Sequence, residues 1–128
     1  MARKFNYKGM TNEQVKAMSL DDFIKTIPSK PRRTLKRMGM QIKKFLEKYR
    51  DDKKKGKVHK THFREMVVIP EMLDTTVLVY DGKSYVTVVC TAEMLGHRLG
   101  EYAITTKLVK HSGPGIGATR GSKTVELK

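Results

Sequence analysis

His59, Lys60, Thr61, His62, Phe63 and Arg64 form the densest run of chemically versatile side chains in this chain. Two histidines three residues apart, with Glu65 beside them and His97 farther on, resemble the start of a metal-ligand set. Lys60 and Arg64 argue against that use, because adjacent positive groups repel a cation. No metal site is expected. Imidazole, hydroxyl and guanidinium groups at the entrance of a strand suit phosphate contact and base stacking better. Cys90 ends a Val-rich run, where a small buried hydrophobe is expected rather than a nucleophile. The acids are scattered at caps and turns and pair with no histidine on an obvious face, so no catalytic residue is assigned. Gly113-Pro114-Gly115-Ile116-Gly117 has neither the preceding strand and following helix nor the Gly-Lys-Ser/Thr of a phosphate loop, so no cofactor is expected.

The strongest chemical signal is positive charge and where it sits. The formal net charge is +14 in 128 residues. Residues 30–64 hold 15 Lys and Arg against Glu47, Asp51 and Asp52, whereas residues 65–106 hold only Lys83 and Arg98 against six acids. Acids at i+4 that would relieve repulsion along a solvated helix face are mostly missing. A bound polyanion, whose counterions are released, would offset that repulsion. The candidate RNA contacts are Arg32, Arg33, Lys36 and Arg37 at the start of one helix, Lys43 and Lys44 farther along it, and Lys53, Lys54, Lys55, Lys57 and Lys60 in a linker. His62, Arg64, Lys83, His97 and Arg98 are added from the middle of the chain, and Lys107, Lys110, His111, Arg120 and Lys123 from the tail.

Composition bounds the remaining classes. Mean hydropathy is −0.52, and residues 30–60 and 107–128 have too little apolar content to close a core alone. No apolar run exceeds strand length, no segment pairs a basic face with an aromatic apolar one, and the first residues lack a signal-peptide core, so no membrane role is expected. One cysteine excludes an internal disulfide and fits a reducing cytoplasm.

The elements that must position these groups follow from local pattern. Thr11-Asn12-Glu13-Gln14 reads as a capping box before a short helix over Val15 and Met18. Ser19-Leu20-Asp21-Asp22 opens a second helix whose apolar side is Phe23, Ile24 and Ile27. After Pro31, Leu35, Met38, Ile42, Phe45 and Tyr49 recur at helical spacing, with Gly39 as a point of bending or splitting. Asp51 to Lys60 is expected to be an exposed linker, and Met66 to Ile69 a buried strand stopped by Pro70. Asp81-Gly82 between two β-branched runs predicts a hairpin with a type I′ turn. Thr91 to Gly96 reads as one helical turn capped by Thr91 and closed by Gly96. The expected fold class is α+β. It comprises a helical, strongly basic extension and linker over 1–60, a compact core with a small, mainly antiparallel three-stranded sheet over 61–106, and an extended Gly/Lys-rich tail over 107–128.

From Lys60 to Met72, through Tyr80-Asp81-Gly82-Lys83, and from Glu93 to Tyr102, the chain resembles the small-subunit ribosomal protein nineteen family. The most specific element is Gly96-His97-Arg98-Leu99-Gly100-Glu101-Tyr102 and its distance from the hairpin glycine. Lys110 to Thr119, Phe5 to Gly9 and Met18-Ser19 resemble the archaeal and eukaryotic branch, as does Ile104 where bacterial members have Pro. Asp74 departs from the Gly that many members carry there. The resemblance implies a structural constituent of the small-subunit head that binds the 3′ major domain of the small-subunit ribosomal RNA. It also implies pairing with small-subunit ribosomal protein thirteen, a tail approaching tRNA in the decoding region, and contacts near bridges to the large subunit. The rival from another class is a DNA-binding or chromatin-like module on the helix from Arg32 to Tyr49. That helix has Gln41 as its only amide, which suits backbone contact more than base readout. A metal-dependent nuclease would need acids clustered with the histidines, and they are not.

Overall fold

The computed structural model describes residues 3–117. Four helices come first: α1 over Asn12–Lys16, α2 over Leu20–Thr26, α3 over Ser29–Arg37 and α4 over Gly39–Lys54. The capping box forms as its residues dictate. Thr11 Oγ1 accepts from Gln14 N, and Gln14 Oε1 accepts from Thr11 N at 3.0 Å. Ser19 caps α2 in the same way, accepting from Asp22 N. The long basic helix divides at Met38 (φ −97°, ψ 31°), one residue before Gly39. It also begins earlier than Pro31. That proline lies in the first turn of α3, where a helix needs no N–H.

Three strands follow, β1 over His59–Thr61, β2 over Thr76–Tyr80 and β3 over Tyr85–Val89, in the order β1-β2-β3. The hairpin pair β2–β3 is antiparallel and β1 joins β2 in parallel, so the sheet is mixed. Alternation sorts its residues: His59, Thr61, Val77, Val79 and Val88 are buried, while Lys60, Tyr85, Thr87 and Val89 are exposed. The buried cluster does not stop at residue 60. Val15, Phe23, Ile27, Leu35, Phe45 and Tyr49 share it with Met66, Met72, Val77, Val79 and Leu99.

Four local expectations are corrected. The run from Met66 to Ile69 is fully buried but is not a strand. Its main chain is paired by Gly96 to Leu99 instead: Val68 N donates to His97 O at 2.8 Å and Leu99 N to Met66 O at 2.9 Å. Residues 51–60 are not one linker. α4 continues through Lys54, Lys55 N donates back to Asp51 O, Gly56 (φ +70°) ends the helix, and β1 begins at His59. Lysine is a good helix former, so an apolar gap alone does not stop a helix. The hairpin turn is centred one residue later than expected. Asp81 N donates to Ser84 O at 3.0 Å, leaving Gly82 and Lys83 as the central pair. Only Gly82 has positive φ (+103°), the pattern of type II′ rather than type I′. Asp81 Oδ1 accepts from Lys83 N and Ser84 N, and these bonds hold its carboxyl below the usual range. Finally, the turn after Thr91 is a 3-10 turn over Ala92–Met94, and the Thr91 side chain makes no capping bond.

Asp74 adopts φ +59°. Aspartate tolerates this left-handed conformation better than most residues. Its carboxylate meets Lys16 Nζ at 2.6 Å.

Candidate nucleic-acid interface

The candidate interface is built around α3. Its first turn holds no acid, its N-cap is Pro28 with no side-chain bond, and Lys30 and Arg32 stand where a helix dipole favours negative charge. An anion there relieves both the dipole and the side chains. On one side of α3 lies an open cleft of about 980 Å³, walled by the end of α2 and by Leu95 to Arg98. On the other lies a groove of about 440 Å³ reaching Glu65. Lys30 and Arg98 line both. Together the two carry seven Lys and Arg (Lys8, Lys25, Lys30, Arg32, Arg33, Arg37 and Arg98) against two carboxylates, Glu65 and Glu101.

Several of these cations also hold the walls in place. Arg32 donates from Nε to Ile24 O and from one terminal nitrogen to Lys25 O and Ile27 O, each at 3.0 Å, tying α3 to the last carbonyls of α2. Lys8 Nζ donates to Thr26 O. Arg98 donates to Thr34 Oγ1 at 3.0 Å, fixing the segment after Gly96 against α3. His97 is exposed and its Nδ1 lies 2.9 Å from Glu101 Oε2. Arg33, Lys36 and Arg37 are exposed.

A second basic region follows α4. Lys43 and Lys44 are exposed on its outer face, Lys53 and Lys54 form its last turn, and Lys55 and Lys57 follow. Cations suit a helix C-terminus, so this end is locally stable while it concentrates charge. Lys53 Nζ stands 6.0 Å from the Tyr49 ring centroid. Arg50 is not available in the same way, because it forks onto Glu71 at 2.7 and 2.9 Å. These bonds, with the arginine charge, hold the Glu71 carboxyl below its usual range against the upward push of burial.

Two archaeal relatives align with nearly the whole chain. The chain is 46% identical over 128 residues to "Small ribosomal subunit protein uS19" of Thermoplasma volcanium, covering 99% of this chain and 83% of the relative. It is 42% identical over 130 residues to the protein of the same name from Saccharolobus solfataricus, covering 98% of this chain and 93% of that one. The family model described as Ribosomal protein S19 matches residues 33–111. The chain belongs to the ribosomal protein S19 family. Members of this family are structural and non-enzymatic, and the chain is a component of the small ribosomal subunit in the cytoplasm.

Within that family the motif Gly96 to Tyr102 gains a physical reason. Gly100 sits so close to Arg64 that an added Cβ would lie 3.1 Å from both the Arg64 main-chain oxygen and its Cβ. Arg64, expected at the RNA surface, is instead half-buried. Its guanidinium donates to Tyr80 O at 2.6 Å, to Gly100 O at 2.9 Å and to Ala103 O. It joins β2 to the end of the family motif. His59, considered above as a metal ligand, is buried edge-on to Phe45 with its Nδ1 2.7 Å from Asp52 Oδ2. His62 is exposed on the other face of β1, so the two histidines do not converge. Cys90 is fully buried, and burial pushes its thiol up to about 11.

Lys60 and Lys83 are exposed, as are Lys107, Lys110 and His111; the described tail residues 107–117 contain no helix or strand. Arg120 and Lys123 lie outside the described residues. Lys8, Lys25 and Lys30 were not picked out by sequence pattern, since only tertiary packing brings them to the cleft. Nor does sequence pattern pair Tyr80 with Tyr85: a turn centred on Asp81-Gly82 would set Tyr80 opposite Lys83, and only the observed centre at Gly82-Lys83 makes the two tyrosines a cross-strand pair.

Proposed function

We propose that this S19-family protein holds small-subunit ribosomal RNA in the two basic grooves flanking α3 and along the lysine-rich end of α4. The observation that carries this reading is seven Lys and Arg around the grooves against two carboxylates. Flexible lysines there can follow a phosphate backbone, whereas Arg32 and Arg98, braced by main-chain and hydroxyl partners, fix the register. In this reading, which here leans on the family resemblance, the RNA is the 3′ major domain of the small subunit.

The same reading has residues 61–106 turn their net-negative surface to a basic neighbour, small-subunit ribosomal protein thirteen. It extends residues 107–128 as an arm towards tRNA near the decoding site, and it places the pair near bridges to the large subunit. Filter binding of the full chain to a 3′ major domain transcript across a salt series tests the RNA contact. Replacing Lys53, Lys54, Lys55, Lys57 and Lys60 with Gln should lower the log–log slope by roughly 0.7 to 0.9 per lost phosphate contact. An unchanged slope removes the end of α4 from the site. Equal affinity for duplex DNA of the same length would favour a general polyanion binder instead.

A further inference from the structure

We propose that the exposed face of the sheet holds an unpaired RNA base against a three-ring cluster of His62, Tyr80 and Tyr85. The inference rests on the RNA-binding reading above and adds the kind of nucleotide recognised. Tyr80 and Tyr85 are the last cross-strand pair of the hairpin, so their side chains leave the same face. β1 runs parallel beside β2 with Lys60 opposite Leu78, and His62, two residues on, comes level with Tyr80. The rings touch as this register requires. Centroids are 4.3 Å apart for His62 and Tyr80, 5.2 Å for Tyr80 and Tyr85, and 5.6 Å for His62 and Tyr85.

Core packing does not explain the cluster, because it stands on the side of the sheet away from the buried valines. Tyr85 is 38% exposed, and His62 is exposed. The rings are nevertheless held in place. His62 Nε2 and Tyr85 Oη lie 2.9 Å apart, and Arg64 fixes the main chain of Tyr80. Rings with two torsions each, already oriented, lose little freedom when a base settles on them.

The charge around the rings selects the occupant. Lys60 Nζ stands 5.4 Å from the Tyr85 centroid, and Lys83 projects from the turn that joins the two tyrosines. The one carboxylate of that turn, Asp81, is turned onto the amides of Lys83 and Ser84. Aromatic faces flanked by lysines match a base with its two phosphates, and they disfavour a basic protein segment. Because every base has a π-face, the site takes a single-stranded nucleotide with little sequence preference.

The test compares binding of the full-length chain to a short oligouridylate and to an abasic ribose-phosphate strand with the same number of phosphates. The wild type should bind the oligouridylate about 5- to 150-fold more tightly, the range that stacking one base supplies, with the same salt slope for both strands. Tyr85→Leu, which keeps an apolar side chain on the strand, should remove most of that preference and leave the slope unchanged. Equal affinity of the wild type for the two strands overturns the base site, and so does a preference that survives in the double variant Tyr80→Leu/Tyr85→Leu. In either case the RNA-binding reading stands if both strands bind with a steep salt slope. If neither strand binds, that reading falls and the base site falls with it.

Discussion

Replacing Arg64 with Met separates holding the fold from holding RNA. Met keeps an unbranched apolar stem but removes the guanidinium that serves Tyr80 O, Gly100 O and Ala103 O. Hydrogen bonds from a charged donor contribute about 1.5 to 3 kcal/mol each, with the lower end apt for a half-buried group. The three share one donor group and do not add fully, so the expected cost is about 3 to 4 kcal/mol. For a chain of 128 residues, at about 3 to 5 °C per kcal/mol, this lowers Tm by about 10 to 20 °C. Arg64→Lys should recover little, because an ammonium cannot present a planar fork to three carbonyls. The assay is thermal unfolding by circular dichroism, paired with the salt slope of RNA binding measured below the transition. The account predicts a large fall in Tm with an unchanged slope. An unchanged Tm, with a slope lowered by roughly 0.7 to 0.9, would refute it and return Arg64 to the phosphate contacts.

At Gly82, where an added Cβ meets nothing within 4 Å but φ is +103°, the penalty is one of backbone conformation alone. Gly82→Val should therefore lower stability by about 1 to 3 kcal/mol in urea denaturation, and Gly82→Asn by clearly less; equal losses would contradict the turn geometry. Glu71, whose carboxyl is depressed by its bonds to Arg50, stabilises the fold above the ordinary glutamate pKa of about 4.3, and that contribution is lost as pH falls through its lower folded value. Arg50→Met should flatten the acid side of the stability–pH profile, whereas a parallel downward displacement of the whole profile would mean the pair is not the cause. Truncation after Thr106 should leave Tm nearly unchanged, because residues 107–117 are exposed throughout. A collapsed melting transition would show the tail packing on the core.

Features fixed within a few residues were legible in the sequence. Thr11 and Gln14 specify their capping box, and the division of the basic helix at Met38–Gly39 follows from one glycine. The hairpin was legible too, but its centre was not. The Asp-Gly pattern puts Asp81 at the centre of the turn, whereas its side chain acts one step earlier by accepting from the amides of Lys83 and Ser84. The apolar run from Met66 to Ile69 signals burial, and it is buried, but it forms no strand. Its peptide groups are satisfied by a segment about 30 residues away, which no local pattern reveals. The site shows the same division. Charge density pointed to RNA, but pattern could not tell Arg33 and Arg37, which stay exposed, from Arg64, whose carbonyl partners lie 16, 36 and 39 residues away.

The central claim is that the grooves beside α3 hold RNA phosphates. It is tested most directly by the salt dependence of binding between the full chain and a 3′ major domain transcript, for the wild type and for Lys30→Gln/Arg33→Gln/Arg37→Gln. None of these three side chains donates a hydrogen bond within the described residues, so the variant should melt close to the wild type. The account predicts a log–log slope lowered by roughly 2 to 2.7, three phosphate contacts at about 0.7 to 0.9 each. A variant that melts normally and keeps the wild-type slope would contradict it.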